Sequence, residues 1–107
     1  MLTKNEDRDF KYPLVGVKYK TLAFGEKTSL SEFHLDKGST IPPHKHPHEQ
    51  TGYMVSGRMT FTIAGKQFDT RSGDGWNIPG DVEHGVEVHE DSIVVEVFSP
   101  LREDYLP

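Results

Sequence analysis

At 107 residues, with 34% hydrophobic and 27% charged side chains, the chain has the size of one domain and is too short for two hydrophobic cores. Its formal charge is −5 and its twelve Lys and Arg residues are scattered, which excludes the clustered basic footprint of a nucleic-acid binder and leaves a small molecule as the expected partner. The absence of cysteine excludes disulfides, thiolate ligands and a Cys nucleophile, so any metal must be held by nitrogen and oxygen.

The chain opens on MLTKNEDRDFKYP, charged where a secretory signal would be apolar, and no apolar run approaches membrane-spanning length. A cytoplasmic protein with no membrane contact is expected, its first ten residues mobile or in contact with a partner subunit. No helical stripe is visible; short β-rich runs recur between turn signals, the pattern of an all-β sandwich or barrel. Residues 14–24 and 29–35 read as the first strands, and Asp36-Lys37-Gly38-Ser39 breaks the chain. Residues 53–55 and 58–63 flank Ser56-Gly57, and Ala64-Gly65-Lys66 precedes 67–70, so the middle is predicted to be a run of hairpins. Ser72-Gly73-Asp74-Gly75 is a further turn. Residues 85–99 read GVEVHEDSIVVEVFS, a predicted last hairpin with its turn at His89-Glu90-Asp91-Ser92. In its second arm Val94, Glu96 and Phe98 share one face and Ile93, Val95 and Val97 the other, which sets an acid between apolar neighbours. Tyr53, Met54, Trp76 and Ile78 suit the barrel lining as well as simple packing.

Two separated segments carry the chemistry. His44, His46, His48 and Gln50 alternate with other residues, so an extended segment projects all four to one side. Two neutral imidazoles two residues apart can bind one ion, a third nitrogen from His84 completes a three-histidine set, and Gln50 offers a carbonyl oxygen. Taken alone, HKHPH reads equally well as a polar, proline-bordered loop of solvated histidines. His84, at the end of a Gly-Asp turn and an Ile-Pro-Gly loop, is the second jaw that a metal site needs. His48 and Glu49 remain rival ligands to Gln50, whereas His34 and His89 lie outside both segments.

These residues resemble the two cupin motifs. The first, residues 38–57, runs Gly38, five residues, His44, one residue, His46, three residues, Gln50, six residues, Gly57. After fifteen residues the second, residues 73–84, runs Gly73, five residues, Pro79 and then His84. The resemblance implies one cupin domain over residues 1–107, an antiparallel jelly-roll β-barrel with a divalent metal at its interior end, held by His44, His46, Gln50 and His84. Gln50 stands where the common motif has Glu, Gly80 directly follows Pro79, and Val88 replaces a usual Asn. A neutral Gln leaves more of the cation's charge to polarise a substrate. Nitrogen and oxygen ligation suits zinc, nickel, manganese, iron or copper.

The tail EVFSPLREDYL, residues 96–106, resembles the C-terminal signature of the KdgF group of short single-domain cupins, which also carry an HxHPHEQ-type first motif. That group converts 4,5-unsaturated monouronates into open-chain 4-deoxy-5-keto acids. The resemblance implies Glu96, Phe98 and Arg102 beside the metal, with Glu96 in place of an aspartate. Arg102 suits a uronate carboxylate, and Glu96 suits proton transfer. Read without the resemblance, Phe98 is a core residue, Arg102 with Glu103 and Asp104 a solvated charge cluster, and Glu96 an outward-facing acid. Three functions follow: a non-redox enzyme ketonising or isomerising a small sugar acid, an iron-type dioxygenase using the same ligands, or a non-catalytic small-molecule-binding module. A barrel of this size exposes edge strands, and a homodimer that hides them is expected.

Overall fold

Ala64 and Gly65, with φ of 51° and 80°, form a two-residue turn with positive φ at both central positions, the geometry that matches the right-handed twist of a hairpin. It joins two paired strands of a chain whose computed structural model describes residues 1–107. The strands are β1 (Lys11–Leu14), β2 (Val17–Phe24), β3 (Ser29–Leu35), β4 (Thr40–His44), β5 (Glu49–Ile63), β6 (Lys66–Arg71), β7 (Gly75–Ile78) and β8 (His84–Ser99). Single 3-10 turns lie at Asn5–Asp7 and Glu103–Tyr105. No helix is long and apolar enough to cross a membrane.

All strand pairs are antiparallel, and β5 with β8 forms the spine. One layer runs β1-β2-β3, then residues 93–99 of β8, residues 49–54 of β5, and β7; the other sets β4 beside residues 84–87 of β8, which pair with residues 60–63 of β5, and those with β6. The two long strands thus pass from one layer into the other, and the core between the layers includes Tyr19, Phe33, Met54, Met59, Phe61, Ile78, Val94 and Phe98. This is the expected all-β jelly-roll barrel.

Two expected turns are absent. Ser56-Gly57 and His89–Ser92 do not reverse the chain but lie inside β5 and β8, opposite one another. Ser56 pairs with Ile93 and Arg58 with Glu90, so Asp91 and Ser92 face Gly57 alone, two residues against one. That is a β-bulge, which bends a strand and sharpens its twist. Turns and bulges both use a residue with positive φ, and Gly57 has φ 97°. A smaller correction concerns 14–24, which Val15-Gly16 divides into β1 and β2.

Gly57 leaves no room for a side chain: a Cβ there would lie 2.2 Å from Ser92 Oγ and 2.5 Å from the Asp91 carbonyl oxygen. Gly57→Ala combines that overlap with left-handed strain and is expected to cost about 2 kcal/mol or more, read as a lowered urea midpoint. A midpoint equal to wild type would remove the bulge as the reason for this glycine.

Residues 5–8 dock on β2 through Lys20 Nζ to Asn5 Oδ1 (2.6 Å) and Arg8 Nε to the Thr21 carbonyl (3.1 Å). The other end of the chain is held similarly, by Lys11 Nζ to the Leu106 carbonyl (2.6 Å) and Thr21 Oγ1 to the Tyr105 carbonyl (2.7 Å). These ties lay residues 102–106 along the barrel.

Candidate metal centre

His44 and His84 are direct cross-strand partners, the last residue of β4 against the first of β8. Their ring centroids are 4.4 Å apart. His46 lies on the loop between β4 and β5, and that loop is braced by the one carrying the second motif. Asp81 N–H donates to the His46 carbonyl (2.8 Å), and Gly80 lies so close to the Pro47 carbonyl oxygen that a Cβ would sit 2.4 Å from it. A glycine directly after Pro79 therefore lets the two motif loops meet. One ring nitrogen from each of His44, His46 and His84 lies within 4.8 Å of the others.

The hydrogen bonds fix what those nitrogens offer. His44 Nδ1 donates to the Pro42 carbonyl (2.9 Å), His46 Nδ1 to the His48 carbonyl (3.0 Å) and His84 Nδ1 to the Val82 carbonyl (2.9 Å). A carbonyl can only accept, so each Nδ1 carries the proton and each Nε2 keeps its lone pair. Outer partners of this kind orient imidazole ligands and raise their basicity. Burial pushes the His84 imidazole down to about 4, against the weaker pull of its backbone bond. His46 is also lowered, by burial first and then by the Arg102 charge. Neutral imidazoles need shed no proton to bind a cation.

Gln50 supplies the sharper test of fit. Its Nε2 donates to Glu96 Oε2 (3.0 Å), which orients the amide and turns Oε1 toward His46 Nε2 at 2.8 Å. With His46 Nδ1 protonated, that approach brings two lone pairs together. A cation resolves such a pair, so the residues present fit a metal. Gln rather than Glu has a physical reason here: a carboxylate at position 50 would confront that of Glu96 at the same separation, whereas an amide accepts at one end and donates at the other.

The other rivals fall outside the cluster. Glu49 is exposed and accepts from Asn77 Nδ2 (2.9 Å). The His48 ring meets that of His46 edge to face, with centroids 5.4 Å apart, and its buried Nδ1 has no partner. His34 lies 3.1 Å from Glu32, and His89 lies 2.7 Å from Thr60.

The cluster opens on a cavity of about 490 Å³, its mouth included, lined among others by Gln50, Phe61, Glu96, Phe98, Arg102 and Tyr105. Glu96 faces inward with Val94 and Phe98 and is 6% exposed. Burial pushes its carboxyl up to about 7, opposed by the N–H groups of Trp76 and Gln50 and by the Arg102 charge. Arg102 is not part of a solvated cluster: it is buried, and its guanidinium lies 4.0 Å from the Tyr105 ring and 5.1 Å from that of Phe98. Asp104, itself mostly exposed, accepts from Arg102 Nε (3.0 Å) and Nη2 (2.8 Å), which occupies one edge of the fork and leaves Nη1 for a ligand.

The structure therefore brings His44, His46, Gln50, His84, Glu96, Phe98 and Arg102 round one cavity. Of the other lining candidates, Met54 and Ile78 are core residues, and Tyr53 points outward, 50% exposed, because alternation puts it opposite Met54. Tyr105 and the Arg102–Asp104 pair were missed, for nothing in a charged C-terminal run signals that it folds back over the barrel.

An antiparallel jelly-roll barrel with an inward acid and three converging imidazoles is a small β-barrel with three histidines positioned to hold a metal ion. The chain belongs to the cupin family, whose Cupin domain matches residues 31–99. It is 31% identical over 93 residues to the pectin degradation protein KdgF of Dickeya dadantii (strain 3937), covering 85% of this chain and 84% of that one. Among solved structures, KdgF from Halomonas sp. is 30% identical, with a TM-score of 0.92 over 99% of this chain and 98% of that one. An RmlC-like cupin from Shewanella frigidimarina NCIMB 400 is 28% identical, also with a TM-score of 0.92, over 98% and 95%.

Proposed function

We propose that this protein is a metal-dependent, non-redox enzyme that converts a 4,5-unsaturated monouronate, or a closely related small sugar acid, to its open-chain keto form. The observation that carries the reading is one cavity holding a three-imidazole cluster, an inward carboxyl and an anchored guanidinium. Kinship with the KdgF proteins supports the substrate class.

The reaction is an isomerisation. The anomeric hydroxyl loses its proton as the bond between C1 and the ring oxygen breaks, giving an aldehyde and an enol, and a proton is then added at C4 as the enol becomes the ketone. A divalent cation held by His44, His46, His84 and Gln50 supplies Lewis-acid polarisation of substrate oxygens. Arg102 holds the uronate carboxylate through its unpaired N–H groups, with Tyr105 and Phe98 packed against the guanidinium. Glu96, enclosed with Val94 and Phe98 and lining the cavity, moves the proton from oxygen to C4.

Incubation with unsaturated galacturonate tests this, followed by loss of the ultraviolet band of the conjugated enol ether. A rate no faster than the spontaneous one with any of the divalent metals overturns the reading. Oxygen uptake requiring ferrous iron would establish a dioxygenase in its place, and tight ligand binding without turnover a binding module. Arg102→Lys should raise KM about tenfold or more while leaving metal content unchanged, since a charge-assisted bond to carboxylate is worth about 1.5–3 kcal/mol. An unaltered KM would take Arg102 out of substrate binding.

The same reading includes a homodimer. β1 is an edge strand exposed along its length, with Tyr12, Leu14 and Val15 presented to solvent. A second copy would cover that edge. Light scattering at micromolar concentration is expected to give twice the chain mass, and a monomer would refute the pairing.

A further inference from the structure

Three neighbouring strands place Trp76, Gly52 and Glu96 in one row. Gly52 of β5 pairs with Trp76 of β7 on one side and with Glu96 of β8 on the other. Strands lie about 4.8 Å apart, so an ordinary residue at position 52 would separate the outer two. Here nothing does. A Cβ at Gly52 would fall 2.3 Å from indole Cε2 and Nε1, so the indole lies across β5 in the space that glycine leaves. Phe61 packs against the same ring, with centroids 4.8 Å apart. At the far end Trp76 Nε1 donates to Glu96 Oε2 at 3.3 Å. Gln50 Nε2 donates to that same oxygen at 3.0 Å. Both of these bonds end on Oε2 and none on Oε1, and Glu96 lines the cavity.

From this row we propose that Trp76 is a positioning residue: its indole N–H, with the Gln50 amide, pins one oxygen of Glu96 and leaves the other as the oxygen that meets the substrate. The catalytic half of this statement rests on the function proposed above; the structural half does not. A longer acid than aspartate has one more rotatable bond, and two donors on a single oxygen remove the freedom that this bond adds. Trp76 touches neither the imidazole cluster nor the guanidinium in any hydrogen bond, so its effect on chemistry runs through Glu96.

Trp76 is the protein's one tryptophan, which makes the hold directly observable. In zinc-loaded protein, the single indole ¹H–¹⁵N signal is expected to move upfield and to exchange faster with solvent in Glu96→Ala than in wild type. Coincident signals would overturn the hold. Trp76→Phe, which keeps an aromatic ring and loses the N–H, is expected to lower kcat about tenfold or more with KM within about twofold and zinc stoichiometry unchanged. Loss of zinc, or a KM change equal to that in kcat, would make Trp76 a structural residue and overturn its positioning role. A wild-type protein silent on every unsaturated uronate, with the indole shift intact, would sink the assigned reaction and leave the hold standing.

Discussion

Metal content falls from about one ion per chain to a small fraction of that in His84→Ala, and turnover falls with it. His84 is the most enclosed of the three imidazoles, 4% exposed, with its Nδ1 proton committed to the Val82 carbonyl. Its Nε2 therefore faces the other two nitrogens with no alternative role. Losing an outer partner of a metal ligand costs about 10–100-fold in affinity, and losing the ligand itself should cost more. The substitution leaves a small cavity at the start of β8 and frees one acceptor, the Val82 carbonyl, but orphans no donor, so the fold should survive. Elemental analysis after gel filtration measures the loss, and circular dichroism checks the fold. Full occupancy in His84→Ala would show that the ion lies elsewhere. His44→Ala should behave in the same direction and less severely, because His44 is exposed and water can enter in its place.

Glu96→Gln is the second large effect, and it separates chemistry from binding. Trp76 Nε1 and Gln50 Nε2 both donate to Glu96 Oε2, and the glutamine carbonyl can accept both bonds in the same place. Position and packing are therefore retained. What is lost is the group that takes up and releases a proton. General acid–base catalysis contributes about 10²–10⁴-fold, and kcat should fall by that order with metal content unchanged. The experiment compares steady-state rates on unsaturated galacturonate with metal stoichiometry in the same preparations. If Glu96→Gln, His44→Ala and His84→Ala all lost metal equally, Glu96 would be a ligand or a structural residue and its proton-transfer role would be wrong.

Much of the fold was legible because it is written in short-range patterns. Ser29–Leu35 alternates buried and half-buried residues without exception and was read correctly to the residue. The turn at Ala64-Gly65-Lys66 was readable from its glycine, and the structure narrows it to Ala64-Gly65, with Lys66 already the first residue of β6. The two internal turns were misread because Gly57 and the polar run His89–Ser92 have the local chemistry of a reversal. Only their pairing across β5 and β8 turns that chemistry into a bulge. No window of sequence contains both residues of such a pair.

The candidate site divides along the same line. His44, His46 and Gln50 lie within a few residues of one another, and Gly73, Pro79 and His84 repeat that economy, so spacing offered the candidate donors, while only the resemblance to the cupin motifs preferred Gln50 to His48 and Glu49. Alternation put Glu96 on one face with Val94 and Phe98, but parity names the companions of a face and not its direction. Inward or outward was decided by the second layer of the barrel packing on that side. Arg102 is the plainest case. In sequence it stands beside two acids and suits a solvated tail. In the fold Lys11 and Thr21, roughly a chain length away, tie residues 105 and 106 to the barrel, and the guanidinium is drawn under Tyr105.

By itself, then, the sequence determined an all-β class with candidate nitrogen and oxygen donors in two short segments, because strand periodicity and motif spacing are properties of a few consecutive residues, and the resemblance to the cupin motifs named the barrel. The tertiary structure alone decided that Glu96 is enclosed, that Trp76 reaches it across the empty place at Gly52, and that Arg102 is pinned by Asp104. Each of these depends on which strands become neighbours, and that is settled by burial of the whole core rather than by any local run of side chains.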